Sequence, residues 1–280
     1  MSVVSWSSMS DERSRGFSES SVPDGYDRFM LGQLFGPWAV DLLSRAELRA
    51  GQSVLDVASG LGPVARLAAA AVGSQGRVVA SDISAAMLAT AAAKPAGSDA
   101  AVIEYLDCSA TAIEADDSSF DVVLCQQGLQ FFPDQAEAAR EMGRVVRVGG
   151  QVVVSTWAAE HPLGLFGPIA ETLSEVGLDE PYPGAFDPSS YSLSSPILTG
   201  LLDQAGLCDV AVEAVELDAV WSTIDEVLAT VLGTPFGPIV SSLPPAEQEH
   251  IRALLADKLT QSEDGTVVIR TMSNIARGRR

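Results

Sequence analysis

The sequence has few of the residues that build metal sites, disulfides and polyanion-binding surfaces. Its 280 residues include three cysteines and two histidines. The cysteines form no Cys-x-x-Cys pair, so no metal site is expected and the thiols are predicted to be reduced. There are 17 basic residues against 37 acidic ones, and the formal net charge is −20. Because nucleic-acid binding relies on basic side chains that neutralise phosphates, a nucleic-acid partner is not expected.

Long apolar runs are also missing. A membrane-spanning helix needs about 20 consecutive apolar residues, and no stretch of this sequence approaches that length. Residues 1–21 are rich in serine and lack the continuous apolar segment of a secretory signal. We interpret them as a disordered tail and predict a cytoplasmic protein without a membrane span.

Apolar strand-like runs alternate with alanine-rich helical ones through the middle of the chain. This alternation implies parallel strands joined by right-handed crossovers, so a doubly wound α/β sheet is predicted. The predicted strands are 53–57, 77–81, 101–106, 120–125 and 151–156, and the predicted helices are 63–72, 84–94 and 134–146.

The second half of the chain departs from this rhythm. Prolines are frequent in residues 158–195, which predicts loops there. Helices are predicted at 197–205, 223–232 and 245–259, and two final strands at 209–217 and 266–272. We divide the chain into a tail (1–21), an N-terminal helical cover (22–50), a core (51–157) and a part that completes the sheet and carries insertions over a pocket (158–280).

A glycine-containing turn joins the first predicted strand to the helix that Pro63 opens. Glycines there let a ligand approach the backbone closely, and a helix N-terminus favours anionic groups. The pattern Gly60-x-Gly62-x-x-Ala65 also fits a dinucleotide-binding fingerprint, with Asp82 about 20 residues further on. An NAD(P)-dependent oxidoreductase is therefore one interpretation of this turn.

Three aspartates at successive strand ends favour a different ligand. Asp56 lies just ahead of the glycine turn, where a carboxylate would repel a pyrophosphate but attract an ammonium or a sulfonium. Asp82 ends the second strand and is placed to accept both ribose hydroxyls, and Asp107 ends the third, placed to accept from an adenine amino group. Together they predict an adenosine site without a pyrophosphate.

Four segments together resemble the successive motifs of class I S-adenosylmethionine (SAM)-dependent methyltransferases of the small-molecule and natural-product type. They are L-D-V-A-S-G-L-G from Leu55, A-S-D-I-S-x-x-M-L from Ala80, F-D-V-V from Phe120 and G-R-V-V-R-V-G-G from Gly143. The resemblance covers about residues 50–157. It implies a Rossmann-like seven-stranded sheet with an antiparallel last strand, SAM as cofactor and S-adenosylhomocysteine (SAH) as product.

The resemblance also implies roles for individual residues on the cofactor side. Ala58 departs from the usual pattern, because the family most often has its first glycine there. The implied contacts are Asp56, Ala58, Gly60 and Gly62 with the methionine end, Asp82 with ribose, Ile83 and Met87 with adenine, Asp107 and the Cys108 backbone with the adenine edge, and Gln126 and Gln127 along the methionine side.

On the acceptor side, methyl transfer is an in-line displacement, to which the protein contributes mainly alignment and a dry site. His161 is the histidine placed near the expected active face, and it is a candidate base or an ordinary loop residue beside Pro162. Aromatic residues are frequent in the covering segments, which favours an apolar small-molecule acceptor such as a quinone or polyketide. The candidate substrate contacts are Tyr26, Phe29, Trp157 and Phe166.

Two alternatives to methyl transfer remain at this point. A methyltransferase-like cyclase or pericyclase of polyketide biosynthesis would bind SAM without transferring its methyl group and would share every cofactor motif. An NAD(P)-dependent oxidoreductase would share the glycine turn, but Asp56 and the paired final strands disfavour it.

Overall fold

The computed structural model describes residues 27, 30–94, 96–159, 164–178, 191–231 and 237–280. In this part of the chain the strands are β1 Ser53–Val57, β2 Arg77–Asp82, β3 Ile103–Asp107, β4 Phe120–Gln126, β5 Val146–Trp157, β6 Cys208–Trp221 and β7 Val267–Arg279. A π-helical turn, Leu31–Phe35, precedes the helices, which are α1 Gly36–Ala46, α2 Pro63–Val72, α3 Ala85–Ala92, α4 Gln135–Val145, α5 Phe166–Glu175, α6 Ser195–Gln204, α7 Ile224–Val231, α8 Gly237–Ser242 and α9 Pro245–Lys258.

The strands form one mixed sheet in the order β3-β2-β1-β4-β5-β7-β6. Strands β1–β5 are parallel to one another, and β7 runs antiparallel to both β5 and β6. The predicted doubly wound sheet with an antiparallel last strand is therefore confirmed. The chain builds outward from β1 to β3 and then returns to place β4 on the other side of β1. Ligands of such sheets bind at the carboxyl ends of the strands where this reversal occurs.

Local sequence sets where the helices begin. Pro63 occupies the first position of α2, where its missing N–H is one that would have no intrahelical partner anyway. The Ser84 hydroxyl accepts a hydrogen bond from the Met87 N–H at 3.3 Å, and the Asp134 carboxylate accepts from the Glu137 N–H at 2.8 Å. Both residues therefore cap their helices.

Alternate residues of the strands pack on opposite sides of the sheet. Val54, Leu124 and Val153 belong to the apolar layer that also contains α1 and α2, which we name the first face. Leu55 and Val123 belong to the layer under α4 and α6, named the second face. Each fully buried side chain of this kind stabilises the fold by about 1.5–3 kcal/mol relative to exposure.

Several predicted boundaries differ from the observed ones, and three of the larger differences are as follows. Helix α5 lies in the stretch 158–195 predicted as loop, because Pro168 falls in the first turn of the helix, where proline is tolerated. Strand β5 begins at Val146 rather than Gln151, with Gly149 absorbing an irregularity at φ +78°. Strand β7 extends to Arg279 rather than ending at residue 272, so Arg277 and Arg279 lie within the strand.

The β6–β7 pair projects beyond the rest of the sheet. Trp157, the last residue of β5, lies opposite Ser273 of β7, whereas Trp221, the last residue of β6, lies opposite Val267. At about 3.3 Å per residue, the pair continues roughly 20 Å past the end of β5. Residues 222–266, which include α7–α9, connect its two strands.

The state of the cysteines and the length of the apolar helices were also considered in the sequence. The three cysteines are free thiols, with Cys108 and Cys125 buried and Cys208 exposed. Burial raises the pKa of the Cys125 thiol to about 12, so this thiol is protonated and unreactive at neutral pH. Among the described helices, none has the length and apolar character required to cross a membrane.

Candidate functional site

The three predicted aspartates lie together at the carboxyl edge of the sheet. Asp82 and Asp107 are register partners at the ends of β2 and β3. Asp56 lies opposite Ala80, two residues before Asp82 on the same side of β2. The parallel strands therefore bring the carboxylates to one crevice, beside the point where β4 joins β1.

Asp56 is the most deeply buried of the three, with 1% of its surface exposed. Its Oδ2 atom has no hydrogen-bond partner among the described residues. Burial, with a smaller contribution from the Asp82 charge, raises the pKa of Asp56 to about 8, although a hydrogen bond from the Ala65 N–H opposes the shift. A buried carboxylate of this kind needs a cation or a donor to complete its surroundings.

Asp82 ties the glycine turn to the start of α3. Its Oδ2 accepts a hydrogen bond from the Gly60 N–H and its Oδ1 from the Ser84 N–H, both at 2.8 Å. Burial raises the pKa of Asp82, and these two hydrogen bonds partly offset that rise. Each carboxylate oxygen has a further lone pair, so a ribose diol remains a compatible ligand. The sequence does not reveal this bracing role of Asp82.

The glycine turn is wound in a way that does not suit a pyrophosphate. Ala58, Gly60 and Gly62 all have positive φ, at +56°, +53° and +71°. The Gly60 N–H donates to Asp82 and the Gly62 N–H to the Ser59 carbonyl at 2.8 Å, so these donors are used inside the protein. Pro63 supplies no N–H at the start of α2. An anion-binding cradle needs such donors facing the ligand.

Ala58 occupies its left-handed conformation because Gly128 leaves room for its methyl group. A Cβ added to Gly128 would lie 2.8 Å from the Ala58 Cβ, 3.0 Å from the Cys125 Sγ and 3.2 Å from the Phe132 ring. The positive φ of Ala58 also explains why glycine is usual at this position of the motif.

Gly128→Ala is therefore expected to destabilise the protein by about 1–3 kcal/mol through overpacking against Ala58 and Cys125. Urea unfolding would measure the change, and the double variant Ala58→Gly/Gly128→Ala should recover part of it. Gly167→Ala is the matched control, since none of the described atoms lies within 4 Å of a Cβ added there. Equal stability of the Gly128 and Gly167 variants would show that the turn is not tightly packed.

The residues predicted to contact adenine differ in how exposed they are. Ile83 leaves 63% of its surface exposed directly after Asp82, whereas Met87 is buried on α3. An exposed apolar side chain at a strand end suits a stacking contact with a flat ring. The Cys108 N–H donates to the Asp82 carbonyl at 3.2 Å, so it is already engaged. The exposed Asp107 carboxylate is left as the predicted contact to the adenine edge.

The two glutamines after β4 have different surroundings. The Gln127 amide is used within the protein, because it donates to the Ser273 Oγ at 2.7 Å and accepts from the Gln130 amide at 3.2 Å. Gln126 donates from its Nε2 to the Phe35 carbonyl at 2.9 Å. Its Oε1 is buried and has no partner in the described part of the chain.

A cluster of buried aromatic side chains lies beside the ends of β4 and β5. The Trp157 ring is buried, 6.2 Å from the Phe35 ring and 5.9 Å from the Trp38 ring between centroids. Trp38 is fixed by a 3.0 Å hydrogen bond from its Nε1 to the Thr271 Oγ1. This cluster places aromatic surface from the N-terminal cover and from β5 side by side.

An ion pair joins the segment before α1 to the end of α3. The carboxylate of Asp27 accepts from the ammonium of Lys94, just after α3. Both side chains are about one third exposed, so the pair contributes little to stability.

Several predicted residues lie outside the description. Tyr26, Phe29 and His161 are not among the described residues, and Phe166 begins α5 with its side chain undescribed. Of the candidate substrate contacts, the structure therefore locates Trp157. Across the ranges that are described, no group of three or more His, Cys, Asp and Glu residues is arranged to hold a metal.

Two buried polar residues of the crevice were not predicted. The hydroxyls of Ser59, in the glycine turn, and Ser155, in β5, have no hydrogen-bond partner among described residues. The sequence pattern could have indicated Ser155, because this serine follows three consecutive valines in a predicted strand. In the structure, the residues on either side of it in β5 are buried.

Comparison with known proteins assigns the chain to a family. The sequence profile of the ubiE/COQ5 methyltransferase family matches residues 22–162, half of the chain. The chain belongs to the ubiE/COQ5 methyltransferase family. The predicted resemblance to class I SAM-dependent methyltransferases is thereby confirmed, and the oxidoreductase alternative falls away. The matched range contains β1–β5 and the whole strand-end crevice.

A curated relative shows how far the similarity extends. The chain is 38% identical over 133 residues to the ubiquinone/menaquinone biosynthesis C-methyltransferase UbiE of Xylella fastidiosa (strain M12). The aligned region covers 44% of this chain and 50% of the relative. The chain thus spans about half the length of the curated relatives it matches.

Solved structures share the fold at low sequence identity. Phosphoethanolamine N-methyltransferase 2 of Haemonchus contortus, in complex with SAM, is 20% identical with a TM-score of 0.62, covering 99% of this chain and 60% of that one. The [4+2]-cyclase SpnF is 17% identical with a TM-score of 0.53, covering 87% and 80%. A methyltransferase and a cyclase thus share this architecture, so the fold does not separate the two activities.

Proposed function

We propose that the protein binds SAM in the strand-end crevice and transfers its methyl group to an apolar, quinone-type small molecule. The observation that carries the proposal is the unsatisfied Asp56 carboxylate beside the glycine turn, which calls for a cationic ligand. The family membership supports the cofactor, and the quinone biosynthesis relatives support the acceptor class.

The residues of the crevice fit SAM on independent grounds. Asp56 offers a buried negative charge to the methionine end, and Asp82 offers two carboxylate oxygens to a diol. A Cβ placed on Gly60 would meet none of the described atoms within 4 Å, so the turn borders open space. Ile83 presents an uncovered apolar surface at the adenine position.

When bound, SAM supplies an electrophilic methyl group on a sulfonium that is already a good leaving group. The work left to the protein is alignment of the acceptor in line with that group and exclusion of water. Trp157, Phe35 and Trp38 line the acceptor side with aromatic surface. Leu165, Tyr191 and Trp221 are buried in the same apolar cluster. His161 as a base remains a prediction.

Calorimetric titration with SAM and SAH tests the cofactor, with NADH as the control ligand. We expect micromolar binding of SAM and SAH and no heat from NADH. Binding of NADH without SAM would contradict the proposal, because the glycine turn would then serve a dinucleotide.

Product analysis separates methyl transfer from cyclisation. A prenylated naphthohydroquinone incubated with the protein and SAM should gain one methyl group, with SAH formed in equal amount. SAM binding accompanied by a rearranged substrate of unchanged mass, and no SAH, would assign the protein to the cyclase alternative.

A further inference from the structure

Three carboxyl groups crowd the crevice, and a basic side chain of α2 lies near them. The charge of Asp82 adds to the rise in the pKa of Asp56, and the charge of Asp107 adds to the rise in the pKa of Asp82. Like charges in a buried site make each other harder to ionise. Arg66, in the first turns of α2, carries a positive charge that opposes this effect at Asp56.

The position of Arg66 follows from the way α2 covers the sheet. Asp56 follows Val54 by two residues on β1, so its side chain also projects to the first face, where α2 packs. Tyr105 of β3 lies in the same row across the sheet, because both residues pair with Ala80. Burial raises the pKa of Asp56 and of Tyr105, and the Arg66 charge opposes the rise in each. The guanidinium therefore lies near this row.

A hydrogen bond holds the Arg66 side chain against the glycine turn. Its Nη1 atom donates to the Leu61 carbonyl at 2.7 Å. A Cβ added to Gly62 would lie 3.4 Å from the same nitrogen and 3.5 Å from the Ala91 Cβ of α3, so the guanidinium packs closely on the turn. The Arg66 side chain thus joins the start of α2 to the turn that precedes it.

The charge of Arg66 is not neutralised by a neighbouring carboxylate. Within the described part of the chain, Arg66 donates to the Leu61 carbonyl and makes no ion pair. A guanidinium keeps its proton in proteins. By contrast, Arg77 at the other end of β2 shares its charge with Glu104 through two hydrogen bonds, at 3.0 Å and 2.9 Å. The Arg66 charge is therefore available to the carboxyl groups of the crevice.

We propose that Arg66 is a positioning residue of the cofactor site, which fixes the glycine turn through the Leu61 carbonyl and favours the ionised form of the Asp56 carboxyl. This inference rests on the proposed function, because it takes the methionine end of SAM or SAH as the ligand of Asp56. Arg66 acts through Asp56, since an ammonium group interacts more strongly with an ionised carboxylate than with a protonated carboxyl.

Three substitutions separate the charge of Arg66 from its hydrogen bond. Arg66→Gln keeps a donor for the Leu61 carbonyl but has no charge, Arg66→Lys keeps the charge, and Arg66→Met loses both. The measurement is calorimetric titration of the full-length protein with SAH between about pH 6 and 9. Methylthioadenosine is the second probe, because it carries the adenosine and sulfur of SAH but no amino acid group.

We expect Arg66→Gln to bind SAH about 3- to 10-fold more weakly than the wild type at pH 7, the effect of a rise of about 0.5–1 unit in the pKa of Asp56. Loss of a positive charge raises that pKa above its value of about 8, so the variant needs a higher pH to ionise the carboxyl. The difference should therefore shrink toward pH 9. Arg66→Lys should follow the wild-type profile.

The second probe isolates the role of the charge. Arg66→Gln should bind methylthioadenosine as tightly as the wild type does, because this probe has no ammonium group for Asp56. Arg66→Met should bind both probes more weakly, because the glycine turn loses its hydrogen bond. Arg77→Gln is the matched control, since it removes the same charge from the opposite end of β2. It should leave the SAH profile unchanged.

Three outcomes would overturn the inference. An Arg66→Gln profile with the wild-type midpoint would show that the charge does not act on Asp56. Equal weakening of both probes by Arg66→Gln at every pH would reduce Arg66 to a structural residue. The same pH dependence for both probes in the wild type, which needs no variant to fold, would show that no ammonium contact depends on the ionisation of Asp56. Failure of the wild type to bind SAH is the separate result that would refute the proposed function itself.

Discussion

Replacing Asp82 with alanine is expected to weaken SAM binding by about 1.5–3 kcal/mol, or roughly 10- to 150-fold, for each charge-assisted hydrogen bond that is lost. The sequence alone suggests little effect on folding. The structure changes that expectation, because Asp82 also accepts the Gly60 and Ser84 N–H groups. A decrease in melting temperature of a few degrees should accompany the loss of affinity. Calorimetry and thermal unfolding measure the two effects.

Asp121→Ala is a suitable control for the structural part of this effect. Asp121 accepts the Ser53 N–H at 2.7 Å and pairs with Arg147, at the opposite end of the sheet from the crevice. Its removal should lower stability without changing SAM affinity. If the two variants bind SAM equally well, Asp82 does not contact the cofactor.

Replacing Asp56 with asparagine is expected to abolish a pH dependence of ligand binding. The raised pKa of Asp56, about 8, means that the carboxyl is mostly protonated at neutral pH in the free protein. An ammonium group, which SAM and SAH both carry at the methionine end, favours the ionised form of a neighbouring carboxyl, so SAH affinity should increase with pH up to about 8 and then level off. Below that value the change approaches 1.4 kcal/mol per pH unit. The Asn variant should bind more weakly, with a flat profile.

The same ionisation affects the stability of the free protein. Because the folded pKa of Asp56 lies above its unfolded value, the folded state binds more protons between about pH 4 and 8. The contribution of Asp56 to stability is therefore present at low pH and lost as pH rises through this window. Asp56→Asn should be more stable than the wild type at pH 8 and should keep the hydrogen bond from Ala65. A wild-type SAH affinity that is constant from pH 6 to 8 would contradict the expected contact between the Asp56 carboxylate and the ligand.

The fold was predictable wherever turn-forming residues and the periodicity of apolar residues indicated the same boundary. Strand β1 and helix α2 have the predicted limits, because the glycine turn and Pro63 mark the boundary between them. Helix α5 was missed because the proline content outweighed its periodicity. Strand β7 was predicted too short because Ser273 and Asn274 interrupt the apolar alternation, although both are fully buried.

The site was predictable where a residue type at a strand end carries the chemistry. Asp56, Asp82 and Asp107 lie at one edge, as their positions after successive strands imply. Hydrogen bonds between distant segments were not predictable, since the engagement of the Cys108 N–H depends on strand register. The hydrogen bond between Gln126 and the Phe35 carbonyl was not predictable for the same reason, because the two residues are far apart in the chain.

The projecting β6–β7 pair makes the segment between its strands, residues 222–266, an exchangeable cassette. Its two ends are adjacent in space, because Trp221 lies opposite Val267, and a short turn would close the same gap at little entropic cost. The cassette contributes Val227, Ile251 and Leu255 to the apolar cluster that also contains Trp157. Under the proposed function, exchange of this one contiguous segment would change the apolar cluster assigned to the acceptor and leave β1–β5 as they are.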